Sequence, residues 1–226
     1  MSVSIKVEID APVFLRDPQD TKLGRNIIQH SIKMIDELGL ESFTFKKLAE
    51  QIGCTEASVY RYFENKHALL VYLVSWYWEW LRHRLSYNTM NIKEAGQKLK
   101  IVIKTIIDTI QMALPPEYID REALHRIVIT EGTKAYHSKA VDEENQKGHF
   151  ETYKNLCQEI AEIIKEVNPK FPYPQALSSN LLEMANHYTY FAQHIPALTD
   201  ITLIAGNMEP LEGLLNYFAF KLLGSS

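Results

Sequence analysis

The sequence predicts an all-α protein with a compact three-helix unit near its N-terminus and a larger helical part behind it. Three observations lead there. Apolar residues recur at three- and four-residue steps through most of the chain, no stretch alternates persistently at period two, and glycines and prolines cut the periodic runs into helix-sized pieces. No internal repeat appears at any fixed spacing.

Residues 1 to 20 lack helical periodicity and contain Pro12 and Pro18, so they are expected to form an N-terminal arm that is partly disordered. From Thr21, residues Leu23, Ile27, Ile28, Ile32, Met34, Ile35 and Leu38 define a first helix over about 21–38, with Gly39 as its left-handed stop. Phe45, Leu48, Ala49 and Ile52 repeat the stripe over two turns, with Thr44 placed to cap the first amides and Gly53 to end the helix. Thr55 caps a third short helix whose Val59, Tyr62 and Phe63 face the core. Asn65 caps a fourth, running through Leu69, Leu70, Leu73, Trp76 and Trp80 towards Leu85. Further helices are expected near 91–113, 120–139, 142–167, 174–194 and 207–223. Pro115, Pro116, Pro169, Pro172, Pro174 and Pro196 mark breaks between them. The expected domains are an arm (1–20), a helix-turn-helix unit (21–70) and a regulatory and dimerisation domain (71–226).

Composition narrows the function. The chain is 226 residues long, 46% hydrophobic and 23% charged, which is ordinary for a folded globular protein. Glu8 and Asp10 interrupt the stretch where an export signal would need apolar residues, so the expected location is cytoplasmic. The most apolar run, Leu69 to Leu81, contains Glu79 and is shorter than the roughly 20 residues that span a bilayer, so no membrane role is expected. Cys54 and Cys157, the only cysteines, supply neither a disulfide framework nor a zinc site. The net charge of -4 excludes a protein that coats nucleic acid by bulk electrostatics. Residues 21–70 differ: Lys22, Arg25, Lys33, Lys46, Lys47, Arg61 and Lys66 exceed the carboxylates there by a single charge.

Two short helices joined by a tight Gly53-Cys54 turn form a unit whose second helix fits a major groove about 12 Å wide. With Val59, Tyr62 and Phe63 turned inward, the outward positions are Glu56, Ala57, Ser58, Tyr60 and Arg61. Ser58 suits a base edge, Ala57 a thymine methyl, and Arg61 a guanine or a phosphate. The stretch FTFKKLAEQIGCTEASVYRYFENKHALL, residues 43–70, resembles the DNA-binding motif of the TetR family in Leu48-Ala49, Gly53, Val59-Tyr60, Phe63, Lys66 and Leu69-Leu70. Leu23 to Gly39 resembles the helix before it. The resemblance implies that Thr44 and Lys46 approach phosphates or a base, that Thr55, Ser58, Tyr60 and Tyr62 line the groove, and that Lys66 grips the DNA backbone. Glu56 departs from the family's usual basic or neutral residue, which bears on the operator sequence.

The resemblance implies the rest: a regulator, most often a repressor, released from a palindromic operator by a small-molecule ligand and acting as a homodimer through helices near 174–194 and 207–223. There Leu211, Leu214, Leu215, Phe218, Leu222 and Leu223 form a broad apolar stripe. The run IVIKTIIDTIQMAL, residues 101–114, suits a helix beside a ligand cavity, with Lys104 and Asp108 available to a polar ligand group. Helix four, carrying Tyr72, Trp76 and Trp80 on one face, is the element that would join pocket to DNA. Glu183, His187 and His194 share a helical face but are commoner as surface residues at that spacing, so no metal is expected. Two other functions are compatible with these residues: a DNA-bound architectural protein without a small ligand, and a helical enzyme with an incidental motif. No nucleophile elbow, phosphate loop or HExxH spacing nominates a catalytic residue or a cofactor.

Overall fold

The computed structural model describes residues 6–9, 13–108, 118–204 and 207–224, and among them no strand occurs. Eleven α-helices are described: α1 Lys22–Ser42, α2 Phe45–Ile52, α3 Glu56–Tyr60, α4 Lys66–Thr89, α5 Ala95–Asp108, α6 Arg121–Glu131, α7 Thr133–Tyr136, α8 Val141–Gln146, α9 Glu151–Val167, α10 Pro174–His194 and α11 Glu209–Leu223. The chain forms two compact units, Met1–Glu79 with Ala113–Thr152, and Trp80–Met112 with Tyr153–Ser226. The first unit thus joins the expected DNA-reading segment to α6, α7 and α8.

In this unit α1 supplies Ile27, Ile28, Ile32 and Ile35, all almost fully buried, and packs on both α2 and α6. Gly39, at φ 74°, ends the long run of α1 in a kink, and a short further turn, Leu40 to Ser42, leads the chain towards α2. The segment before α1, expected as a partly disordered arm, is folded over residues 6–9 and 13–20. Val7, Val13, Pro18 and Gln19 are buried, Lys6 pairs with Asp17 and Asp20 at 2.7 Å each, and Gln19 donates to the Val7 carbonyl. Gly24 permits this packing: a Cβ there would lie 2.2 Å from the Pro18 carbonyl oxygen. Sequence periodicity misses such a segment because side chains and a helical neighbour hold it, not a repeat of its own.

Thirteen consecutive residues of α4, from Leu69 to Leu81, are buried, so this helix is covered on every face. Two of its polar side chains have partners among the neighbouring helices. Trp78 Nε1 donates to the Tyr136 hydroxyl at 2.7 Å, and the Tyr77 hydroxyl meets His125 Nδ1 at 2.8 Å. Trp76, within this run, has no measurable exposure.

The second unit packs α5, α10 and α11 on one another around Leu99, Ile103, Leu181, Leu182, Leu211 and Leu215. Polar ties include Arg82 with Glu159 at 2.7 Å, Lys98 with Glu166 at 2.7 Å, and Asn168 donating to the Leu223 carbonyl. Two expected helices are divided. Gly148, at φ 82°, separates α8 from α9 within 142–167, and Gly132 separates α6 from α7 within 120–139. The helix expected over 91–113 starts at Ala95, where Glu94 accepts from the amides of Gly96 and Gln97. Its residues from 109 onward, like Pro115 and Pro116, lie outside the described residues. The single apolar stripe expected on the last helix is two faces. Leu211, Leu215 and Leu223 are core, Leu214 and Phe218 are half-buried, and Leu222 is exposed.

His125 makes the first unit sensitive to acid. Burial, with a smaller contribution from the neighbouring Arg126, lowers its pKa to about 4, and among the described residues its Nε2 has no hydrogen-bond partner. Below the ordinary histidine value of about 6.5 the unfolded chain takes up a proton that the folded chain refuses. Stability therefore falls as pH drops from about 6.5 towards 4, by about 3 kcal/mol for this group. Urea unfolding of the parent and His125→Gln across that range should give a shallower pH dependence in the variant, and parallel curves would refute the assignment.

Candidate nucleic-acid interface

The candidate interface is built from α2, the Gly53 turn and α3. Helix α2 buries Phe45, Leu48 and Ala49 and exposes Lys46, Lys47 and Glu50 on its other side. Thr44, extended at φ -141°, accepts at its hydroxyl from the Lys47 amide at 3.2 Å and so caps the helix. Gly53 ends α2 in the left-handed conformation, φ 69°, where a side chain would be strained, and the Cys54 amide bonds back to the Ala49 carbonyl. Thr55 then caps α3 by accepting from the Ser58 amide at 3.3 Å. Burial also raises the pKa of the Cys54 thiol in this turn.

Helix α3 has one buried residue, Val59, which with Phe63 anchors it to the core. Glu56, Ala57, Tyr60 and Arg61 are exposed and Ser58 is half-buried. The Ser58 hydroxyl lies 2.8 Å from that of Thr55 and accepts from Arg61 at 3.3 Å, so these three polar side chains form one connected row. Tyr60 leans edge-on against Phe45, ring centroids 5.1 Å apart, with 46% of its surface exposed. Lys46 is exposed and forms no ion pair among the described residues. Glu56, in the first turn of α3, complements the partial positive charge at that end of the helix, which accounts for a carboxylate on this face.

Thr44, Lys46, Thr55, Glu56, Ala57, Ser58, Tyr60 and Arg61 therefore belong to α2, α3 and the turn between them. Two expected residues depart from this group. Tyr62 is buried at 2% exposure, its hydroxyl 2.7 Å from that of Thr21 and its ring beneath Arg16, so it supports α3 from inside and does not line a groove. Lys66 donates to the carbonyls of Leu40 and Glu41 at 3.0 and 3.2 Å. In the free protein it thus forms a strut under the corner between α1 and α2, where those carbonyls lie in the last turn of α1 and lack helical donors. Sequence reasoning missed the other residues on this corner. Glu131 accepts from the Leu40 amide at 3.1 Å, Lys134 reaches Glu41, and Arg126 grips Asp36 through two hydrogen bonds. All three act across more than eighty residues, beyond the reach of any local spacing.

A helix-turn-helix with a polar exposed second helix has the form that docks in a major groove. The sequence comparison agrees: residues 27–73 match the model of the family described as bacterial regulatory proteins, tetR family. The tetracycline repressor protein class A from transposon 1721 of Escherichia coli is 39% identical over 51 residues, which are 22% of this chain and 24% of that repressor. The chain thus matches about a quarter of that relative's length. Two solved structures share the fold over nearly all of the chain. A bacterial regulatory protein in the tetR family from Rhodococcus RHA1 has a TM-score of 0.64 at 12% identity, covering 91% of this chain and 99% of that one. The regulator FadR from Bacillus subtilis, solved with stearoyl-CoA, has 0.60 at 17% identity, covering 89% and 98%. Residues 27–73 are thus similar to the tetR family of bacterial regulatory proteins.

Lys66 can be tested as a strut without any DNA. Lys66→Ala leaves the Leu40 and Glu41 carbonyls without their charged donor, so unfolding free energy should drop by about 1 to 3 kcal/mol in urea titration of the protein alone. An unchanged midpoint would return Lys66 to a role outside the fold.

Proposed function

We propose that this protein is a sequence-specific DNA-binding transcriptional regulator, a repressor released from a palindromic operator by a small-molecule ligand, and not an enzyme. The observation that carries the reading is the α2–α3 pair, with Gly53 setting the turn and Thr44, Lys46, Glu56, Ala57, Ser58, Tyr60 and Arg61 on its outer side. Phosphate contacts fall to Lys46, Arg61 and the Thr44 hydroxyl. Base edges fall to Ser58, Ala57 and Tyr60. No helix among the described residues is long and apolar enough to cross a membrane. The proposed site of action is the cytoplasm, where bacterial DNA lies.

A palindrome requires two heads, and α10 with α11 is the proposed homodimer interface. The side of α11 away from the core carries Leu214, Tyr217, Phe218 and Leu222, and α10 carries half-buried Met184, Tyr188 and Phe191 at helical spacing. Both stripes would gain from burial against a second copy. The proposed ligand is apolar or amphipathic, and a long-chain acyl-CoA is the first class to try because FadR was solved with stearoyl-CoA. Lys104 is exposed on α5 and Asp108 half-buried, so the pair stays a secondary candidate for the ligand's polar end. Helix α4 is the proposed route of coupling, being one continuous helix from the reading head into the second unit.

Selection of bound duplexes from a random DNA pool tests the reading directly, and a palindrome with half-sites about one helical turn apart is the expected product. Recovery of no preferred sequence would sink it. With that duplex, Ser58→Ala should change discrimination at particular base pairs by about 1 to 3 kcal/mol. A preference unchanged at every position would remove Ser58 from the base-reading set.

The dimer has its own test. Tyr217→Glu with Leu222→Glu puts two carboxylates on exposed positions, so the fold should survive while sedimentation shifts from dimer to monomer. Affinity for the palindromic duplex should fall by about tenfold or more, because the second head no longer binds at high effective concentration. A variant that sediments as the parent does would place the interface elsewhere.

A further inference from the structure

The corner between α1 and α2 is held mainly by side chains from outside the helix-turn-helix. Gly39 breaks the helical geometry of α1, and the short further turn Leu40 to Ser42 carries the chain into Phe43 and the Thr44 cap. Four polar groups stabilise this corner. Lys66 takes the carbonyls of Leu40 and Glu41, while Lys47 takes that of Ser42 at 2.8 Å. The Leu40 amide donates to Glu131 Oε1, a carboxylate only 9% exposed at the end of α6. Lys134 lies 2.7 Å from the other Glu131 oxygen and 3.3 Å from the Glu41 carboxylate, so one ammonium ties both sides of the corner.

Helix α6 is itself held in place. On one side Arg126 binds Asp36 of α1 through two hydrogen bonds, and on the other His125 meets Tyr77 of α4. A helix pinned to both neighbours presents its terminal carboxylate at a defined distance from Leu40. That amide lies in the last turn of α1, a few residues before the Thr44 cap and α2, which carries Lys46 of the proposed interface. A buried carboxylate that accepts from a backbone amide fixes that amide in direction as well as position.

We propose that Glu131 is a positioning residue for DNA reading: by holding the Leu40 amide it sets the placement of α2 relative to α1, with Lys134 keeping the carboxylate oriented. The proposal rests on the DNA-regulator reading for its functional consequence, while the positioning itself is a property of the free protein. Glu131 touches no DNA in this scheme. Its loss should therefore weaken every phosphate contact made from α2 without removing a cation from the interface.

The full chain is compared as parent, Glu131→Ala, Glu131→Gln and Lys134→Met. Amide hydrogen exchange is measured without DNA, and affinity for the duplex the parent selects from a random pool is measured over a range of salt. In Glu131→Ala, exchange between Leu40 and Ile52 should rise about tenfold while that between Leu156 and Ile164 stays at the parent rate. Duplex affinity should fall about tenfold with the salt slope unchanged, since the count of phosphate-binding cations is the same. Glu131→Gln keeps an acceptor oxygen and should remain within about threefold of the parent in both measurements. Lys134→Met, at a partly exposed position, should fall between the two, and it carries the test if the alanine variant does not fold. Parent-like exchange over 40–52 in the alanine variant overturns the proposal. So does an equal rise in all segments, which would mark a general loss of stability, or an equal loss in the alanine and glutamine variants. If the parent selects no duplex, the DNA-regulator reading fails, and the exchange measurements still decide whether Glu131 positions α2.

Discussion

A helix buried on every face commits the rest of the chain to covering it, and α4 is such a helix from Leu69 to Leu81. Each large side chain removed from water there contributes about 1.5 to 3 kcal/mol, so the run through Tyr72, Trp76 and Trp80 is a large part of what opposes the loss of chain entropy. The same burial imposes a condition on polar groups. Tyr77 and Trp78 carry donors inside, and His125 and Tyr136 supply their partners. The segment from Ala113 to Thr152 belongs to the first compact unit for the same reason: its helices carry the residues that complete this part of the core.

The reading head then follows from a short list of constraints. A five-residue helix cannot sustain itself in water, so α3 depends on Val59 and Phe63 to hold it and on Thr55 to cap it. Once its inner side is committed, the outer residues have no choice of direction. Gly53 fixes the angle of the turn because its left-handed backbone would strain any side chain. In the free protein Tyr62 is interior and Lys66 braces a carbonyl corner. The net negative charge of the chain is compatible with this head because Lys46 and Arg61 are placed at the surface of α2 and beside α3, while most carboxylates lie elsewhere in the sequence.

Sequence likeness to the curated repressors is confined to a short stretch, whereas the fold is shared over nearly the whole chain. A head that fits a major groove has both its buried and its exposed sides constrained, so residue identities persist at fixed spacing. A helical domain that must only cover a core is constrained in pattern. Many apolar sequences satisfy a pattern, which leaves the helices recognisable and the residues different.

The sequence by itself determined the all-α class, the caps at Thr44, Thr55 and Asn65, the turn at Gly53, and the inward commitment of Val59 and Phe63. Each of these depends on residues within about four positions of one another, where helical geometry decides which side chains meet. Only the tertiary structure decided the rest. It folded residues 6–9 and 13–20 onto α1, where Gly24 leaves room for Pro18; it split the apolar stripe of α11 into a core face and an exposed face; and it turned Lys66 onto carbonyls and brought Glu131 to Leu40. These outcomes depend on which distant element arrives against a given surface. Periodicity along one helix records that a face is apolar and carries no information about what will cover it.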